Sequence, residues 1–204
     1  MDKNASCSMK TGCDDGSCDT VKKNCCWGTL LKGAALGGIA LFAIYSISWM
    51  FLPWHMSSIH AFSNEAAVAK AVDAGAGMNG VYMLPSMSAG KEPAITKPYA
   101  FVSVLKEGMD PKGFNAAMMK EALLCFVLAG LLTCLLKKLP AGCCGLRASF
   151  KIGLLVALAH YVPNMIFMGF PLDYSMIGMV DDVVAITVAG YLIRRFVTKS
   201  GECA

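Results

Sequence analysis

The chain has 204 residues, 56% of them hydrophobic and 16% charged, with a formal net charge of +4 and a mean hydropathy of +0.54. That balance is too apolar for a water-soluble domain and predicts a membrane protein. A charge of +4 spread over the flanks of apolar segments makes no case for nucleic acid as a partner.

Windows of about 20 residues, the helix length that crosses roughly 30 Å of hydrocarbon, find four spans. The expected fold class is all-α membrane: a four-transmembrane-helix bundle with a small α+β exoplasmic loop domain between helices 1 and 2. Residues 1–29 read as a disordered cytoplasmic tail, because they are polar, mix acid and base, and have no apolar core of a secretory signal. Cys7, Cys13, Cys18, Cys25 and Cys26 lie in this tail. Their spacing lacks the C-x2-C knuckles of a zinc ribbon, so they are weak metal candidates and the identity of any metal is open. The Cys25–Cys26 and Cys143–Cys144 pairs fall near the predicted membrane boundary, where S-acylation is an alternative to free thiols.

The first span is 30–52. Gly33 and Gly37 give it a small-xxx-small face for close helix packing. It exits through "SWMFLPWHMSSIHAF", where Trp49 and Trp54 bracket Pro53 as an aromatic belt and His55 and His60 read as interfacial polar residues.

Residues 53–115 form the expected exoplasmic cap of one helix and two strands. Ser63 is placed to cap a helix from Asn64 to about Ala74, with Glu65 in its first turn. "GVYML" (Gly80 to Leu84) and "YAFVSVL" (Tyr99 to Leu105) read as an antiparallel pair, separated by a Pro-, Gly- and Ser-rich loop. Such a pair is marginal without the bundle to lean on. The order "WMFLPWH", "FSNEAAVAKAV", "GVYMLP", "PYAFVSV" resembles a group of uncharacterised bacterial multi-pass inner-membrane proteins, over roughly Trp49 to Val104. The resemblance implies a bacterial inner-membrane setting. That group has no assigned activity, so it carries over no catalytic residue.

The second span, 116–136, begins with Lys120 and Glu121, both toward its exoplasmic end. The basic loop 137–151 leads to the third span, 152–170, which holds His160 near its middle, Asn164 one turn on, and Pro163 between them. The short turn 171–174 makes the fourth span, 175–193, its antiparallel neighbour. That span carries Asp181 and Asp182 within about 3 to 5 Å of the helix midpoint, where each costs roughly 2.5 to 3.5 kcal/mol to insert. Adjacent helical residues point about 100° apart. One carboxylate is therefore expected to face His160 and the other the first or second helix. Residues 194–204 form a second cytoplasmic tail.

Basic clusters before the first span, in the 137–151 loop and after the fourth span put both termini in the cytoplasm. Cysteines occur only on that side or within the second span, in agreement with a reducing compartment there.

Three functional readings are open, the first two drawn from the intramembrane set His160, Asn164, Asp181, Asp182 and Glu121. The first is a structural or assembly protein whose polar pairs fix helix contacts. The second is a proton- or cation-linked transporter of a small solute, or a subunit of one, acting as a homo-oligomer or with a partner membrane subunit. The third is soft-metal handling by exterior methionines (Met50, Met56, Met78, Met83, Met87) with His55 and His60. An enzyme is disfavoured, since G-x-S-x-G, H-E-x-x-H, phosphate-loop and dinucleotide motifs are all missing from the sequence. No motif implies an organic cofactor, and the lipid bilayer is the first partner.

Overall fold

The computed structural model describes residues 27–86, 97–139 and 145–198. The expectations attached to the cysteines at 7, 13, 18, 25, 26, 143, 144 and 203, to Met87, and to most of the loop between the strands lie outside those residues.

Helix α1 (Trp27–Phe51) ends two residues before Pro53, whose ring cannot continue a helix. Pro53 instead opens the single turn α2 (Trp54–Ser57), which folds the chain back over the end of α1. Helix α3 (Glu65–Gly75) follows. Its cap is Asn64, not Ser63: the Asn64 side chain accepts from the Ala67 amide at 3.0 Å, and Glu65 occupies the first turn.

Strands β1 (Gly80–Leu84) and β2 (Ala100–Val104) pair antiparallel, with Tyr82 opposite Val102. Asn79 ties the hairpin ends, since its Oδ1 accepts from the Lys106 amide at 2.7 Å and its Nδ2 donates to Glu107 at 2.8 Å. That donation holds the Glu107 carboxyl below its usual range. Lys106 Nζ reaches back to the carbonyls of Asp73 and Ala76, which joins the hairpin to the end of α3.

Helix α4 (Pro111–Lys137) starts five residues earlier than the 116 expected. The "KEGMDPKG" stretch contains a helix start within what reads as a turn: Asp110 accepts from the Gly113 amide at 2.7 Å, and Pro111 needs no amide partner in the first turn. Helix α5 (Gly145–Met168) also starts early, taking in Arg147 and Lys151, and it runs through Pro163 without ending. Helix α6 (Leu172–Leu192) continues as a widened π turn over Ile193–Thr198, so Arg194 and Arg195 are helical. Arg194 is buried and donates to the carbonyl of Leu136 at 3.2 Å, a cation on the last turn of α4.

The chain is mostly helical, and four of its helices are long and apolar enough to span a membrane, which points to a membrane protein. They pack as two intimate pairs, α1 with α4 and α5 with α6. A crossing of α1 on α6 joins the pairs, while α4 and α5 scarcely meet.

Small residues explain the pairing. A Cβ on Gly38 would sit 2.9 Å from the Cα of Phe126, and one on Gly37 2.9 Å from the Cβ of Ala129. Gly33 lies against Thr133 in the same way. Across the other pair, Gly153 faces the backbone of Val183, Gly178 the ring of Tyr161, and Gly190 the side chain of Ser149. Lipid tails are as apolar as leucine, so such close backbone approach, with its dispersion gain, is what selects one helix partner over another. The buried centre comprises Leu41, Cys125, Ala129, Leu132, Leu136, Ala185, Ala189 and Ile193.

Candidate functional site: two adjacent carboxylates with different surroundings

Asp181 and Asp182 occupy consecutive positions on α6, and the helix turns them toward different neighbours. Both are buried, at 5% and 9% exposure. Asp181 points to α1 and α2. Its oxygens accept from Ser48 Oγ at 2.8 and 2.7 Å, and Oδ2 lies 2.8 Å from His55 Nε2. Trp54 Nε1 donates to Ser48 Oγ at 2.9 Å. The Trp49 ring stacks on the His55 ring, with centroids 3.9 Å apart.

Trp54 Nε1 is a donor only, so Ser48 Oγ accepts from it and directs its own single proton to Asp181. His55 Nε2 shares a second hydrogen bond with Asp181 Oδ2. Two partners thus converge on one buried carboxyl group, which offsets the cost of burying it.

Ser48, His55 and Asp181 share the residue types of a nucleophilic triad but not its geometry. Serine and aspartate both approach the same ring nitrogen, Ser48 at 3.0 Å, so the imidazole has no free face on which to take the serine proton. The cluster is a latch that fastens the α1–α2 corner to α6.

His55, expected as an interfacial polar residue, is 2% exposed and part of the latch. Trp49 and Trp54 wrap that imidazole in addition to reaching the surface. His60 is exposed and stands apart from the cluster. Ser48 and Tyr45 are site residues that the sequence reading missed. Both lie on the α6-facing side of α1 one turn or less apart, and a hydroxyl at helical spacing inside an apolar span is the signal that would have found them.

Asp182 looks the other way. Tyr45 donates to its Oδ1 at 2.9 Å, and His160 Nδ1 stands 3.9 Å from Oδ2, too far for a hydrogen bond but close for a charge. The His160 side chain is 58% exposed. Both groups line a cavity of about 770 Å³ between the two helix pairs, with Glu121 of α4 also on its wall. The rest of the lining is almost wholly apolar, and it includes no lysine or arginine.

Asn164 does not join the set. Its amide donates to the carbonyl of His160 in its own helix at 2.9 Å. Glu121 accepts a long contact from the Cys125 thiol at 3.7 Å and otherwise faces the cavity. The helix from Leu172 to Thr198 is centred on residue 185, so Asp181 and Asp182 lie about 5 to 6 Å from its midpoint. The partners of Asp181 lie in the last turn of α1 and just beyond it, toward the end of the bundle that carries the cap. Tyr99 marks that end, donating to the Phe167 carbonyl at 2.9 Å where the cap meets α5.

Among the described residues, no three His, Cys, Asp or Glu side chains gather closely enough to hold a metal ion. Comparison with protein-family models, curated proteins and solved structures yields no match. The functional reading therefore rests on the geometry.

Proposed function

We propose that the protein is a multi-pass membrane protein that binds a small cationic solute at Asp182 and works as a transporter or transporter subunit in a bacterial inner membrane, with both termini cytoplasmic. The observation that carries this reading is the difference between the two aspartates. Asp181 has its hydrogen-bonding capacity used by the latch, so the structural role expected of a buried carboxylate is already filled. Among the described residues Asp182 has one hydrogen-bond partner, Tyr45, and its second oxygen is turned to a cavity on whose wall Glu121 and His160 also stand, the imidazole 3.9 Å away. Two carboxyl groups against one imidazole, in a wall without lysine or arginine, favour a cation over an anion. Protonation of His160 or of a carboxylate would weaken that preference and release the solute. The orientation follows from the basic clusters flanking the helices.

Isothermal titration of the purified protein with ethylammonium tests the reading. Wild type is expected to bind, and Asp182→Asn to bind at least tenfold more weakly. Tyr45 keeps its acceptor in that variant, because Asn retains an oxygen at Oδ1. Equal binding by wild type and Asp182→Asn would contradict the assignment.

A further inference from the structure

We infer that the ligand of this cavity is an amphiphile already dissolved in the membrane, with an ammonium head and one alkyl chain, and that it enters sideways between α4 and α5. This rests on the cation-site reading above and adds to it the tail and the route.

The polar wall groups lie at one level. Glu121 is ten residues into α4 from Pro111, Asp182 ten into α6 from Leu172, and His160 eight back from the end of α5 at Met168. At 1.5 Å per residue these are about 15, 15 and 12 Å from the cap-side ends of their helices. The wall is apolar on both sides of that level, over about 10 Å at Met118 and Phe114 toward the cap and over a longer stretch away from it, where Leu128, Leu131 and Leu135 from α4 face Ile152 and Val156 from α5. From Glu121 to Leu135 this stretch covers roughly 21 Å. A compact hydrated cation would use the upper level and leave that length without purpose.

The route follows from packing. Because α4 and α5 make few contacts, the cavity opens along their seam, and Leu128 and Leu131 on its edge are 43% and 59% exposed. A chain passing from bilayer to cavity exchanges one apolar surface for another, so the tail gains little and the head sets selection. Charge complementarity then fixes the head. Asp182 and Glu121 repel a sulfate or carboxylate head, and a phospholipid brings its phosphate along with any amine. A single positive head without an acidic group fits both carboxylates.

The test uses the full chain in phosphatidylcholine nanodiscs with a dodecylammonium probe that carries a photoreactive group at the end of its tail. Crosslinks are expected on α4 between Leu128 and Leu135 and on α5 at Ile152 and Val156. Unlabelled dodecylammonium should compete, dodecyl sulfate should not, and labelling should fall about tenfold in Glu121→Gln with Asp182→Asn. The wild-type competition decides the matter even if the double variant does not fold. Ethylammonium that binds by calorimetry, together with crosslinks spread evenly onto Leu155 and Ile166 outside the cavity, would overturn the tail and leave the cation site standing. Equal competition by dodecyl sulfate would overturn the choice of head. No ethylammonium binding and no head-dependent labelling would overturn both readings.

Discussion

At the scale of single residues, the latch shows how a buried carboxyl group is kept in an apolar bundle. Asp181 is surrounded by partners supplied from two segments: Ser48 inside α1, and His55 brought back over it by the turn at Pro53. Removing one partner leaves a buried polar group short of a hydrogen bond. His55→Ala and Ser48→Ala are therefore each expected to cost about 1 to 3 kcal/mol. Denaturant unfolding of the two variants in one detergent checks both values, and a near-neutral His55→Ala would mean that the latch does not hold the corner. This part of the site was only half legible in sequence. The Asp pair stands out because two charges in an apolar run are expensive, and the 100° between neighbours gives their divergence. The partners of Asp181 do not stand out, because a serine in an apolar helix and a histidine beside tryptophans each have an ordinary local explanation. Only the reversal of the chain at Pro53 brings them together.

At the scale of elements, glycine decides which helices pair. Gly38 allows α1 to approach the backbone of Phe126 on α4, whereas a Cβ on Gly28, in the same helix, meets nothing within 4 Å. Gly38→Ala is expected to destabilise by about 1 to 3 kcal/mol through overpacking against a backbone that cannot give way. Gly28→Ala should be neutral or slightly stabilising, since alanine is the better helix former. Thermal melts of the two variants separate packing from propensity. The spans themselves were legible because apolar runs of this length have few other uses, and Gly33 and Gly37 were visible as a small-residue face. The helix ends were not. Asp110 and Pro111 read equally well as a turn and as a helix start, and the choice depends on whether the following residues stay helical. Arg194 read as a flanking charge because sequence alone does not show that the end of α4 offers it a carbonyl.

At the scale of the whole molecule, the two helix pairs and the open seam between α4 and α5 give the adjacent carboxylates separate tasks. α6 packs against α5 on one side and crosses α1 on the other. One turn of α6 thus presents Asp181 to the closed side of the bundle and Asp182 to the cavity. Neither the cavity nor the seam is legible in sequence, since both depend on which helix pairs form and every span offers small residues for pairing. The cap is tied to the bundle through Tyr99, which donates to the carbonyl of Phe167 at the end of α5.

The most direct measurement compares thermal stability of Asp181→Asn and Asp182→Asn in detergent, each with and without ethylammonium. Asparagine at 181 keeps one acceptor oxygen where aspartate offers two. With that oxygen in the Oδ2 position, which Ser48 and His55 share, an NH2 group faces Ser48 in place of Oδ1. That variant should melt several degrees lower, at a cost of about 1 to 3 kcal/mol, while still gaining stability from the cation. Asparagine at 182 should melt close to wild type and gain nothing from the cation. If the two variants melt alike and respond alike, the adjacent aspartates do not divide structure from binding, and the assignment of Asp182 as the binding carboxylate is wrong.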